Sequence, residues 1–223
     1  VFSFCMCPGG FIVPASTRPG ELVLNGMSLS RRDSPYANSG LVVGIEVEDA
    51  LKAGFSGPLA GLELQRRIEE AAWQAGGGGL RAPATRATDF VAGRASTTVP
   101  ATSYQPGLAA GNVGDVLDLV GIGLADRMRR ALNVFDKRMR GYVSEEAVLV
   151  GVESRTSSPV RVPRDKERLT SPDLEGLYPC GEGAGYAGGI MSAAIDGIAV
   201  ARALAESGRF DASGDLGDVN VHG

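Results

Sequence analysis

Glycine stands at 181, 183, 185, 188 and 189 within the run CGEGAGYAGG (180–189), and so many glycines disfavour a regular helix or strand there and favour a turn with backbone angles other residues resist. What flanks it narrows the choice further. GLYP before it reads as the end of a strand, and IMSAAIDGIAVARALAESG after it reads as a helix. Ile190, Ala194, Ile198, Ala201 and Ala205 fall on one face of that helix, with side chains small enough for close packing on a sheet. Strand, glycine turn and helix together form a physical device. The glycines let the main chain approach a ligand without Cβ atoms in the way, and the helix points unpaired N–H groups and the positive end of its dipole at it. Glu182 lies inside the turn, where a carboxylate can accept hydrogen bonds from sugar-like hydroxyls. The spacing is related to the dinucleotide fingerprint G-x-G-x-x-G but lacks an acidic partner at a following strand end. By spacing alone, a helix terminus held by glycines for packing is an equal alternative.

Composition closes several other routes. Of 223 residues, 22 are Lys or Arg and 26 are Asp or Glu, a net charge of -4, so no basic footprint for nucleic acid or an anionic membrane is expected. No apolar run reaches the ~18–20 residues of a membrane-spanning helix. Three Cys and one His could supply four zinc ligands only if the tail carrying His222 folded back, so no metal site is expected. The lone His also rules out a Ser-His-Asp set built near the glycine turn, so chemistry would have to come from a cofactor. Val1 opens directly on VFSFCMCPGG, with no initiator Met and no charged leader. It reads as a strand already under way, and the chain as a fragment of a longer protein.

Along the chain, residues 1–30 read as β structure, with short apolar runs at Phe11–Val13 and Leu22–Leu24 separated by turn formers. LVVGIEVED (41–49) reads as the next strand. Residues 58–79 read as a helix with Pro58 at its start, a stripe of Leu62, Leu64, Ile68, Ala71, Ala72 and Ala75, and a glycine stop at 76–79. Residues 80–114 show no period and read as a long connection. A second helical region covers about 115–140, with Leu124, Met128, Leu132, Phe135 and Met139 on one face and basic residues opposite. Those basic residues read as a solvated helix face, and Trp73 as core. Residues 147–162 read as strand, loop, strand, and the segment after Arg209 as a loose acidic tail.

Two further clusters are candidates. ESRTSSPVR (153–161) gathers donors at Arg155, Thr156, Ser157 and Ser158; it is either a loop near a ligand or a turn that caps itself. Cys5 and Cys7 stand two apart, which on a regular strand puts them on one face. A ligand-facing thiol pair is the sharper reading and two small buried side chains the plainer one.

VESRTSSPVR and LEGLYPCGEGAGYAGGIMSAAIDGIAVARAL together resemble the C-terminal region of the NAD(FAD)-utilizing dehydrogenase family, and more distantly other bacterial flavoproteins of that broader fold. FSFCMCPGG, VLNGMS, PLAGLELQRRIEEAAWQAGGG, DFVAGRAST and FDKRMRGY extend the resemblance over nearly the whole chain, to about residue 205. It implies an α/β architecture in two parts. Residues 1–144 would be a mixed α+β inserted domain on the substrate side, residues 145–208 the C-terminal part of a Rossmann-like FAD-binding domain, and residues 209–223 a flexible tail.

The cofactor implied is FAD, with NAD(P)H the electron donor that the family name suggests. Its contacts would come from Gly181, Glu182, Gly183, Gly188, Gly189, Ile190 and Met191, with Arg155, Thr156 and Ser157 nearby. Glu182 would meet ribityl or pyrophosphate groups, and the N–H groups of Gly189, Ile190 and Met191 the pyrimidine edge of the flavin. The pyrophosphate-binding first turn of such a fold would precede Val1. The function implied is an FAD-dependent oxidoreductase acting on a small-molecule substrate in a soluble intracellular setting, the cytoplasm or an organelle such as a plastid. A non-catalytic flavin- or ligand-binding module, or an inactive truncated product, stays open beside it.

Overall fold

The computed structural model describes residues 1–16 and 18–208, so the tail and His222 lie outside the described residues. The chain divides into two compact units, the first Val1–Arg155 and the second from Thr156 onward. The division comes later than the 144/145 boundary drawn from sequence, because the strand at 148–150 pairs within the first unit.

In the first unit, β1 (Phe2–Pro8) pairs antiparallel with β4 (Ala37–Val42), and β2 (Phe11–Pro14) pairs antiparallel with β3 (Leu24–Met27). A third sheet has β5 (Ala82–Arg86) at its centre, parallel to β6 (Leu108–Ala110) and antiparallel to β7 (Val148–Val150). The architecture is thus a mixed one of small sheets and helices.

Five helices accompany these sheets: α1 (Val47–Lys52), α2 (Ala60–Ala75), α3 (Ala87–Val91), α4 (Val113–Asp118) and α5 (Leu124–Arg138). Helix α2 buries Leu64, Ile68 and Ala72 at steps of four, while Leu62 and Ala75 from the expected stripe are exposed. In α5, Leu124 and Leu132 are buried and Met128 and Phe135 half-buried on the expected face, and Met139 is exposed beyond its end. Leu64, Ile68, Ala72, Leu124 and Leu132, with Met128 against them, meet Leu22, Leu24, Phe90, Tyr104, Val113 and Val116 in one core.

The secondary-structure elements depart from the sequence expectation in four places. The expected strand 41–49 ends at Val42 and gives way to α1, because the Glu46 N–H donates to the Asp49 carboxylate and Asp49 is drawn on to Arg127. The expected featureless connection 80–114 holds β5, α3 and β6. Its strands are short and Ala-rich, and they are stabilised by partners distant in sequence. Only the first of two expected strands in 147–162 forms, and the expected strand leading into the glycine turn is absent among the described residues. There the backbone bonds to side chains: the Pro179 carbonyl accepts from Arg164 and the Gly181 N–H donates to Asp196.

The second unit contains α6 (Ile190–Glu206), and the glycine turn leads into it as expected. The face expected to pack on a sheet is open instead. Ile190 is 89% exposed, Met191, Ile195 and Ile198 are exposed, and so are Ala194, Ala201 and Ala205; of this helix only Val200 is buried.

Candidate functional site

Residues 181–186 form successive tight turns, closed by Gly185 N–H donating to the Glu182 carbonyl at 2.9 Å and Tyr186 N–H donating to the Gly181 carbonyl at 3.0 Å. Gly185 has φ +82°, and a Cβ there would lie 2.6 Å from the Val160 carbonyl oxygen, so a glycine is required on two counts. Around Gly181, Gly183, Gly188 and Gly189 the position of a Cβ meets open space. The main chain there can be approached closely from outside.

The turn ends at Gly189, the N-cap of α6, which offers no side chain to the first turn. The first N–H groups of the helix therefore emerge at an open, exposed end, which is the arrangement that attracts anions and electron-rich carbonyl oxygens. Ser192 turns inward to this junction: its hydroxyl accepts from the Gly188 N–H at 3.2 Å and donates to the Gly189 carbonyl at 3.0 Å.

The preceding loop wraps the turn. Ser158 Oγ donates to the Gly183 carbonyl at 3.2 Å, Arg161 Nε to the Gly185 carbonyl at 2.9 Å, and the Val162 N–H to the Ala184 carbonyl at 3.1 Å. Tyr186 OH donates back to the Val162 carbonyl at 2.8 Å. Arg161 and Arg164 stand over the Tyr186 ring, 5.1 and 3.6 Å from its centroid.

Arg164 also makes a two-pronged pair with Asp196 of α6, at 2.6 and 3.0 Å, with both side chains largely withdrawn from solvent. The Arg164 hydrogen bond, helped by the Gly181 N–H, holds the Asp196 carboxyl below the usual carboxylate range, and Asp196 raises the Arg164 guanidinium in turn.

The candidates from sequence thus separate. Gly181, Glu182, Gly183, Gly188, Gly189, Ile190 and Met191 lie together on the turn and the start of α6. Thr156 and Ser157 open the second unit, and Ser158 beside them joins the turn. Arg155 closes the first unit, where Nη2 donates to Glu69 Oε2 at 2.6 Å and to Glu21 Oε2 at 3.3 Å, and Nε to Glu69 Oε1 at 3.0 Å. Its guanidinium is engaged by two buried carboxylates.

Sequence reading missed Arg161, Arg164, Tyr186 and Asp196. Asp196 carried a usable signal, because a carboxylate alone in the apolar helix stretch IMSAAIDGIAVA must find a cation or a donor.

Cys5 and Cys7 do not share an environment. Residues 5 and 6 are inserted opposite the single Ser39, and Cys5 takes a left-handed conformation with φ +51°. Cys5 is exposed, whereas Cys7 is buried and its Sγ donates to the Cys5 carbonyl. Among the described residues no helix is long and apolar enough to cross a membrane, and no three metal-ligating side chains cluster.

Residues 1–156 match the family described as FAD-dependent protein, C-terminal domain-like. An uncharacterized protein of Clostridium beijerinckii is 45% identical over 95% of this chain, and the chain spans 38% of that relative's length. The match covers all of the first unit and more than half of the sequence, and on this basis the chain belongs to the FAD-dependent protein C-terminal domain-like family.

Proposed function

We propose that this chain contributes one wall of an FAD site in an oxidoreductase, with the glycine turn 181–189 and the start of α6 facing the cofactor. The observation that carries the reading is the uncapped N-terminus of a 17-residue helix, approached through glycines whose outer side is open space. Membership of an FAD-dependent family supports it from the first unit.

The residues present fit such a group. N–H groups at Gly189, Ile190 and Met191 suit the pyrimidine edge of a flavin, where negative charge gathers on reduction. Glu182 suits the hydroxyls of the ribityl chain, and Thr156 and Ser157 lie in the loop that continues to the turn. FAD, when bound, supplies the capacity to take up and release a hydride; the chain's own groups bind it, orient it and favour its reduced charge. Arg155 holds the last residues of the first unit against Glu69 and Glu21, and its role in this reading is to anchor the loop from which Thr156 and Ser157 emerge.

The open face of α6 supports the same reading. Ile190, Ile195 and Ile198 need an apolar cover, and in a chain as long as the Clostridium relative the remainder of a Rossmann-like FAD domain would supply it. NAD(P)H is proposed as electron donor and a small molecule as substrate.

The test is the visible spectrum of the full-length protein as purified and after NADPH is added without air. Flavin bands that NADPH bleaches are expected. Flavin that no nicotinamide reduces would favour a binding module, and a protein indifferent to FAD would sink the proposal.

A further inference from the structure

Arg164 and Asp196 join three stretches of the second unit at one point. Arg164 belongs to the loop that wraps the turn, and Asp196 to the second turn of α6. Asp196 Oδ2 accepts from the Gly181 N–H at 2.8 Å and from Arg164 Nη1 at 3.0 Å, while Oδ1 accepts from Arg164 Nη2 at 2.6 Å. The same Nη1 donates to the Pro179 carbonyl at 2.9 Å, and the guanidinium plane covers the Tyr186 ring.

Both sides of the turn's entry, Pro179 and Gly181, are thereby fixed to the helix it leads into, and its far side is fixed through Tyr186. Glycines lose more conformational freedom on ordering than other residues, so a turn with five of them needs an external brace to present its N–H groups in one geometry.

We infer that Arg164 and Asp196 are a positioning pair that presets the glycine turn and the start of α6 for their cofactor; the inference rests on the FAD reading above. Asp196 does not touch the cofactor in this scheme. Its carboxylate orients the Gly181 peptide, and Arg164 holds the carboxylate. The energetic benefit appears at binding, because a turn already ordered loses less entropy when the ligand arrives.

The experiment is an FAD titration of the full-length protein, followed by flavin absorption and fluorescence, for wild type, Asp196→Ala, Asp196→Asn and Arg164→Lys. Asp196→Ala is expected to weaken FAD binding by about tenfold or more and to shift the absorption bands of the flavin that remains bound. Asp196→Asn keeps an acceptor for the Gly181 N–H and is expected to fall between wild type and Asp196→Ala. A role in stability alone would leave the bound-flavin spectrum in place.

Unchanged FAD affinity and spectrum in Asp196→Ala, with wild type binding FAD, would overturn the inference and leave the FAD reading standing. Wild-type affinity and spectrum in both Asp196→Asn and Arg164→Lys would also overturn it, by showing that the paired charges do not set the turn. If Asp196→Ala does not fold, Arg164→Lys decides, since it keeps the charge but loses the paired donors; unchanged affinity there counts against the pair. A wild type that takes up no FAD removes the functional reading itself and this inference with it.

Discussion

Arg155 reaches from the end of the first unit to Glu69 in the middle of α2, and Glu69, only 1% exposed, receives the Ser154 hydroxyl as well. Removing the cation would leave Glu69 and Glu21 buried beside each other without it. Breaking one side of a buried pair costs about 3–5 kcal/mol, and the partial exposure of Arg155 points to the low end of that range. Arg155→Ala should therefore lower unfolding stability by about 3 kcal/mol, read as a fall in urea midpoint at unchanged slope. The loss should appear with no flavin present. A midpoint shift below a few tenths of a molar would argue against this account.

Asp49 and Arg127 give a pH dependence with a definite sign. Arg127 hydrogen bonds, with the Glu46 N–H, lower the Asp49 carboxyl from its ordinary value of 3.8 to about 2. A depressed folded-state value means stability that is fully present above pH 4 and is lost as the pH falls from about 4 through about 2. Thermal melts of wild type and Asp49→Asn should converge across that window and differ above it. Parallel curves down to pH 2 would remove the assignment.

Gly185→Ala tests the tight turn. The φ of +82° and the 2.6 Å approach to the Val160 carbonyl both act against a methyl group. A strain of about 1–3 kcal/mol is expected from the backbone conformation alone, and it should fall on the second unit. Limited proteolysis is the readout: cleavage between residues 156 and 190 should accelerate while the first unit stays intact.

Ile195→Asp and Ile198→Asp separate exposure from function. Both side chains lie open on α6, so either change should alter the stability of this chain by no more than about 0.5 kcal/mol. In the full-length protein the same changes should abolish FAD uptake, because a carboxylate would be buried under the proposed cover. Normal FAD content in both variants would mean that this face stays open.

Thiol labelling of the folded chain should modify Cys5 and Cys180 rapidly and Cys7 only on unfolding. Peptide mapping by mass spectrometry gives the answer directly. Fast labelling of Cys7 would contradict its burial.

Much of the helical structure was legible from residue spacing. Leu64, Ile68 and Ala72 recur every four residues, and so do Leu124, Met128 and Leu132, and both stripes meet the core. The short strands were harder. Ala82–Arg86 contains Ala, Pro and Thr with no alternation, and it is a strand because β6 and β7 pair with it from distant parts of the chain. At the candidate site, the glycine turn and the helix start were visible as local chain chemistry. The bracing residues were hidden because Arg164 and Asp196 meet 32 positions apart, a pairing that spacing does not encode. Arg155 was read from its neighbours Thr156 and Ser157, whereas its partners Glu21 and Glu69 come from far upstream.

The bulge in β1 sets which insertions and deletions that strand can absorb. Phe2, Ser3 and Phe4 pair with Val42, Leu41 and Gly40, and Cys7 and Pro8 with Asn38 and Ala37, so the ladder has one residue to spare between Phe4 and Cys7. Loss of either Cys5 or Met6 would close the strand into regular pairing with every other partner unchanged. Loss of Ser3 or Phe4, with the bulge retained, would slide the residues before it by one place and turn their side chains to the opposite face. For a homologue one residue shorter in this strand, the gap belongs at 5–6, and a sequence alignment that puts it elsewhere would assign the wrong residues to the sheet's two sides.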